Sequence, residues 1–265
     1  MIRSIYGKTL YDKRFFILGW TIGLAAIAAL LVSFYPAMHQ DDALGGLVQN
    51  MPAAFKGLIG SLADLSRFDT YIASQLFDIR LPLIAGIMAI ILGIGLSVAD
   101  EEKGELRTIL SLPIGRTKLL IERWLAMVTI LAVTLLGLLA GVYGVVPFID
   151  GATIDMEIMA RLVAMTGLMM VAFGTIPFAI GMISGKRAAA MAASVLVIIG
   201  SFLLSTFGQA VDWLGNYEKL SLLHYFPAVD IVKDGIDGKD AVVLGGITLV
   251  LLVVAIVVFR RRDVA

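Results

Sequence analysis

Six stretches of the chain are almost unbroken in apolar residues: Phe16–Met38, Leu81–Ala99, Leu125–Phe148, Leu162–Ser184, Ala188–Phe207 and Ala241–Phe259. About 20 such residues make a helix long enough to cross the ~30 Å hydrocarbon core of a bilayer. The pattern predicts an all-α integral membrane fold with six transmembrane helices, in a single domain over residues 1–265. The third run is long enough to tilt or to start in the interface. The fourth contains Pro177, which is expected to kink it, with neighbouring helices satisfying the freed carbonyl. The first is too long for the apolar core of a signal peptide, and no small-x-small cleavage site follows at Ser33–Met38. It reads as a retained span.

The segments between the runs carry patterns of their own. In residues 1–15 (MIRSIYGKTLYDKRF), Ile2, Ile5, Tyr6, Thr9 and Leu10 recur at helical spacing, while Arg3, Lys8, Asp12 and Lys13 occupy much of the other side. That predicts a short amphipathic helix at the membrane interface. Residues 39–80 hold apolar groups at helical intervals broken by Gly and Pro, which suits one or two short surface helices. In residues 208–240, Trp213, Tyr217, Tyr225 and Phe226 match the amphipathic rings that gather at headgroup level, ahead of Pro227 and an Asp/Gly-rich stretch. The turn Gly185-Lys186-Arg187 is so short that the fourth and fifth spans are antiparallel neighbours. No internal repeat is visible.

Composition agrees with a membrane protein. Hydrophobic residues make up 59% and charged residues 16%, against about 25% charged in an ordinary soluble domain, and the mean hydropathy is +0.94. The formal net charge of zero conceals a separation. With both termini inside, the inner segments hold 14 Lys/Arg and 7 Asp/Glu, and the outer segments hold 7 and 14. The positive-inside rule then places both termini in the cytoplasm, and a bacterial or archaeal plasma membrane is the expected location. Balanced charge argues against nucleic-acid binding. The absence of cysteine excludes disulfides and thiolate metal sites.

Catalytic chemistry finds little support. No charge sits at mid-span depth; Glu122, Arg123 and Arg161 lie at span ends. Ion-coupled transporters usually keep an ionisable or unwound polar element near the midplane, so energy for any vectorial work is expected from outside the spans. Gly181-Met-Ile-Ser-Gly185-Lys186-Arg187 is one residue short of a phosphate loop and has Arg where Ser/Thr binds magnesium. Gly181 and Gly185, like Gly137 and Gly141, are instead expected to allow close helix packing. Glu101, Glu102 and Arg107 partly match the paired-glutamate motif of CAAX-type membrane proteases. The chain's two histidines, His39 and His224, fall in predicted outer loops across the bilayer from Glu101, so no metal or acid–base site is expected. They read as solvated loop residues.

The inner segment from Asp100 to Trp124, DEEKGELRTILSLPIGRTKLLIERW, is different. Acids cluster at a helix start, where carboxylates favour the dipole. Leu106, Ile109 and Leu110 recur at helical spacing and give a short helix one apolar edge. Pro113 stops it, Gly115 permits a turn, and Arg116 and Lys118 lead toward the third span. This predicts a rigid two-helix hairpin with a charged face toward the cytosol.

Glu101-Glu102-Lys103-Gly104-Glu105-Leu106, followed by Leu110-Ser111-Leu112-Pro113-Ile114-Gly115-Arg116, resembles the signature loop of type-2 ABC exporter permeases. That loop usually reads E-E-x-G-T-L, then L-L-x-x-P-[VIL]-S-R. Glu105 here replaces a small residue and Gly115 a Ser. LSLLHYFPAVD (Leu220–Asp230) resembles the L-S-P-[FY]-x-Y-x-[PD] stretch before the last span, with Leu223 where Pro is common. With six spans and an N-terminal interfacial helix, the likeness covers nearly the whole chain.

The resemblance implies a permease subunit, not an enzyme, with no cofactor in this chain; ATP and Mg are bound by a cytosolic ABC ATPase partner. The loop would be the coupling helix, seated in a groove of that ATPase, with Glu101, Glu102, Gly104, Glu105 and Arg116 forming the contact or its shape. Reversing charge at Glu101 and Glu102 together is then expected to weaken ATPase capture. Twelve spans imply two permease chains, homodimer or heterodimer, with two ATPase copies. Spans two and five would meet across the dimer axis, with Gly86, Gly93, Gly200 and Ser201 as close-contact positions. The apolar path suits a hydrophobic or amphipathic cargo (drug, antibiotic, lipid or peptide), for which Met165, Met169, Met170 and Met182 offer an adaptable lining. Membrane lipid is a partner, and nucleic acid is not. The alternative is a six-span scaffold or sensor that transports nothing.

Overall fold

A computed structural model describes residues 4–36, 67–78, 80–111, 114–149, 151–207 and 216–263. His39, Pro113, Trp213 and most of the expected outer surface helices lie outside the described residues. The chain opens with α1 (Ile5–Asp12) and α2 (Arg14–Ser33). After α3 (Phe68–Ile72), a wider π-helical turn over Ala73–Asp78 leads to α4 (Arg80–Ser97). Two short helices follow, α5 (Ala99–Glu102) and α6 (Glu105–Leu110), then the long α7 (Arg116–Val145). The remaining helices are α8 (Met156–Ser184), α9 (Arg187–Phe207), α10 (Ala228–Asp234) and α11 (Gly238–Arg261).

Among the described residues, six helical stretches are long and apolar enough to cross a membrane: Arg14–Ser33, Phe68–Ser97, Arg116–Phe148, Met156–Ser184, Arg187–Thr206 and Gly238–Arg261. The second and third begin well before the Leu81 and Leu125 expected from hydropathy. In the second, Phe68, Tyr71, Ile72, Leu76 and Phe77 are buried, but Arg67, Asp69, Asp78 and Arg80 interrupt the apolar pattern. In the third, Arg116, Lys118, Glu122 and Arg123 lower the hydropathy of turns that are nonetheless continuous helix. The fourth runs unbroken through Pro177 from its Asp155 cap, whose side chain accepts from Glu157 N–H at 2.8 Å.

Apolar burial does little to hold helices together in lipid, because lipid tails are as apolar as leucine; close van der Waals packing takes its place. Glycine provides it here. A Cβ on Gly141 of α7 would stand 2.2 Å from the Ala25 carbonyl of α2, and one on Gly137 2.7 Å from the Thr21 carbonyl. On α4, a Cβ on Gly93 would stand 2.3 Å from the Gly174 carbonyl of α8. One on Gly181 of α8 would lie 2.2 Å from Ser97 Oγ. Three of the expected packing glycines, Gly137, Gly141 and Gly181, therefore do that work. Gly93 does too, but inside this chain: its near face is filled by α8, not left open for a second copy. Gly86 similarly looks inward, at Ile198 and Phe173, whereas Gly200 faces open space.

The core gathers around α8, which packs on α4, α7, α9 and α11. Met165, Met169, Met170 and Met182 are buried there as packing side chains, not as an exposed lining. Most polar side chains inside the bundle are satisfied locally: Thr166, Thr175 and Thr248 each donate to the carbonyl four residues back. Trp124 Nε1–H also donates to Thr175 Oγ1 at 2.9 Å. In contrast, α2, α9 and α11 bury little of their apolar length and present Leu18, Ile22, Leu196, Ile199, Leu249 and Val250 outward.

The segment before the last span docks on α9 through serines. Ser221 Oγ donates to the Ser201 carbonyl at 2.8 Å, and Leu222 N–H donates to Ser201 Oγ at 3.1 Å. Ser201 is therefore used within the chain. The loops segregate by end. Asp155 N–H donates to Asp69 Oδ1 at 3.4 Å at one end. At the other, the termini, the α5–α6 loop and the α8–α9 turn come together.

Candidate functional site: the α5–α6 loop and its anchors

The loop is built as the pattern of apolar positions predicts. Leu106 is 2% exposed, and Ile109 and Leu110 are half-buried against the bundle. That edge anchors α6, and Glu105, Arg107, Thr108 and Ser111 point away from it, exposed. Gly104 joins α5 to α6 with φ +72°, a left-handed conformation that costs a residue with a Cβ about 1–2 kcal/mol. A Cβ there would meet nothing within 4 Å. The glycine serves the turn, not a close approach.

The acids of the loop divide into anchors and free groups. Glu101, with its side chain 13% exposed, pairs with Arg262 just beyond the end of α11. The other guanidinium nitrogen of Arg262 donates to the Met182 carbonyl of α8 at 3.0 Å. Gly185 makes this possible. It closes α8 with φ +64°, and a Cβ on it would stand 1.8 Å from Arg262 Nη2 and 2.5 Å from Glu101 Oε1. Arg116 faces the same junction, donating to the Phe259 carbonyl at 3.3 Å and also to the Arg262 carbonyl. It satisfies carbonyls at the end of α11 that the helix itself leaves unpaired. Glu102 pairs with Arg187, at the start of α9, at 3.1 Å.

Asp100 pairs with Arg123, which is 5% exposed and also donates to the Leu96 carbonyl at 3.3 Å. Glu122 accepts from Tyr6 N–H of α1 at 3.0 Å, and the Tyr6 hydroxyl shares a hydrogen bond with Thr129 at 3.0 Å. The N-terminal helix is thus fastened to α7 beside the loop. Among the described residues, Glu105 and Arg107 make no ion pair and lie exposed along α6, so both remain available to a partner.

Of the five residues singled out by sequence, Glu101, Glu102 and Arg116 hold the loop to α8, α9 and α11, Gly104 shapes it, and Glu105 faces outward. Arg262, Gly185, Arg187 and Arg123 were not singled out for the site. No motif marks Arg262, and the sequence offers Gly185 only as a packing glycine and as the first residue of a short turn. The region Gly181–Arg187 is the end of one helix and the start of the next, with no phosphate-loop geometry.

At the opposite end, a cavity of about 580 Å3 opens among Asp78, Glu218, His224, Asp230 and Asp240. His224, expected to be a solvated loop residue, has its Nδ1 3.2 Å from Glu218 Oε1 and packs edge-on to Tyr225. It lies far from Glu101, at the other end of the spans.

A comparison with curated proteins finds no match. Residues 8–264 match the ABC-2 family transporter protein, the membrane component that works with an ABC ATPase subunit. That match spans nearly all of a chain with six membrane-crossing helices and an anchored loop between the second and third, and on it the chain belongs to the ABC-2 family of transporter proteins.

Proposed function

We propose that this chain is the permease of an ATP-driven exporter and that α5–α6 is the element through which the ATPase acts. One observation carries this reading: the loop has one edge fixed to the bundle and a free charged edge opposite. Its anchors reach α8, α9 and α11, so a push on the loop is delivered to three helices rather than absorbed in a flexible connection. Glu105 and Arg107 supply the charges that steer and seat the partner, and α1, pinned to α7, braces the same face. ATP and Mg are held by the partner. Two permease chains with two ATPase copies complete the complex in the plasma membrane, with both termini cytoplasmic. Among the spans expected at the dimer axis, α9 offers the open face, with Leu196, Ile199 and Gly200 outward. The cargo is hydrophobic or amphipathic, in keeping with spans that carry few fixed charges.

The test is capture of the ATPase. Tagged permease drawn from native membranes is expected to bring an ABC ATPase in roughly equal copy number. Reversing charge at Glu101 and Glu102 is a poor probe, because it also breaks two internal ion pairs. Glu105→Lys with Arg107→Glu changes only exposed, unpaired groups, and surface changes of that kind usually stay within about 0.5 kcal/mol of neutral stability. The pair of substitutions is expected to lower ATPase recovery with the thermal midpoint unchanged. Full recovery in that variant refutes the docking role.

A further inference from the structure

A second cavity, of about 250 Å3, lies between α1, the end of α4 and the α5–α6 loop. Lys8 and Lys13 reach it from the N-terminal segment, and Lys103 from the turn between α5 and α6. The Lys13 ammonium lies against the α4 backbone, where a Cβ on Gly95 would stand 3.4 Å from Nζ. None of the three lysine side chains makes an ion pair or hydrogen bond among the described residues. Burial first, and Lys103 second, push the Lys13 ammonium below its ordinary range, against the attraction of Asp100 and Asp12.

The local charges do not close the gap. Asp100 and Arg123 also line the cavity but are paired with each other. That leaves three ammonium groups and two exposed carboxylates, Asp12 and Glu105. A half-buried ammonium facing a like charge is a costly arrangement unless an anion neutralises it. The position says which anion. The cavity lies where the interfacial helix α1 turns into the first span, and Phe15 and Leu18 at the start of that span are 72% and 58% exposed. An acyl chain lying along those side chains would bring a headgroup to the level of Lys13.

We propose that this cavity binds the phosphate of an anionic lipid headgroup, with Lys8, Lys13 and Lys103 as its partners. Because Lys103 belongs to the loop and Lys8 and Lys13 to the N-terminal segment, the headgroup bridges the two. The proposal needs the membrane placement of the chain and not the ATPase reading.

The test is native mass spectrometry of the full chain purified in mild detergent. It is titrated in turn with phosphatidylglycerol, with phosphatidylcholine of the same acyl chains, and with inorganic phosphate. A basic residue near a membrane surface contributes enough to favour an anionic lipid by about 5-fold. Phosphatidylglycerol is expected to bind at least about 5-fold more tightly than phosphatidylcholine. Lys13→Gln with Lys103→Gln is expected to erase that preference, and Lys13→Arg with Lys103→Arg to keep it. Should the double Gln variant fail to fold, Lys103→Gln alone alters one exposed side chain and is expected to weaken phosphatidylglycerol about 5-fold. Equal retention of the two lipids, or a preference unchanged in Lys103→Gln, overturns the proposal. Displacement of phosphatidylglycerol by millimolar inorganic phosphate, mole for mole, assigns the cavity to the free anion and overturns the lipid source.

Discussion

Gly185→Ala is the sharpest perturbation of the anchored loop. The methyl would occupy the point 1.8 Å from Arg262 Nη2 and 2.5 Å from Glu101 Oε1. Both atoms end flexible side chains, so the clash itself is relieved by a swing of the guanidinium. What is lost is the ion pair. With 16% and 13% of the two side chains exposed, the loss falls between a surface pair and a fully buried one, about 1–2 kcal/mol. The left-handed backbone at φ +64° adds about 1–2 kcal/mol for any residue with a Cβ. The sum is about 2–4 kcal/mol, read by equilibrium unfolding of the purified chain in mixed micelles. In an Arg262→Met, Glu101→Gln background the pair is already gone, and the same glycine substitution is expected to cost only the backbone share, about 1–2 kcal/mol. An equal cost in both backgrounds would mean that Gly185 does not make room for the pair, and would refute the anchoring of the loop through this turn.

Gly141→Ala places a Cβ 2.2 Å from a backbone oxygen that cannot swing aside; unfolding should show a loss of about 1–3 kcal/mol. Gly144→Ala, on the same helix with open space around it, should be neutral or stabilising by up to about 1 kcal/mol. Ser201→Ala removes the acceptor of the buried Leu222 N–H, at about 1–3 kcal/mol, and faster hydrogen exchange at that amide is the readout. Lys13 has its folded-state pKa below the unfolded value, so in the alkaline window just under the ordinary lysine range the unfolded chain binds more protons. Stability in lipid-free detergent should therefore rise with pH across that window, and Lys13→Met should flatten the rise.

The division between what was legible and what was not follows the range of the interactions. The apolar edge Leu106, Ile109 and Leu110 was readable because helical spacing is a local property, and the structure seats that edge on the bundle. Gly104 stood out only through the family resemblance, as part of the contact or its shape, and its role as a left-handed turn came from the backbone. The fate of the loop's acids was not readable, since Glu101 meets Arg262 across a sequence separation of 161. Reading by type grouped Glu101, Glu102 and Glu105 as one charged face. Packing uses the first two inside the chain and leaves the third outside. The first turns of the second span were hidden for a related reason, because Arg67, Asp69 and Asp78 mask buried Phe68, Ile72 and Leu76 in any hydropathy window.

The sequence by itself determined the number and approximate place of the spans. Each helix must satisfy its own backbone in a solvent that offers no hydrogen bonds, and that requirement acts on one segment at a time. It also determined the chemical character of the loops, since an excess of Lys/Arg on one set and Asp/Glu on the other needs no partner to be read. Tertiary structure decided which helix each glycine faces, which ion pairs close, and which charges remain for a partner. Those outcomes depend on how closely α4 and α11 each approach α8. No window along the chain contains both sides of such a contact.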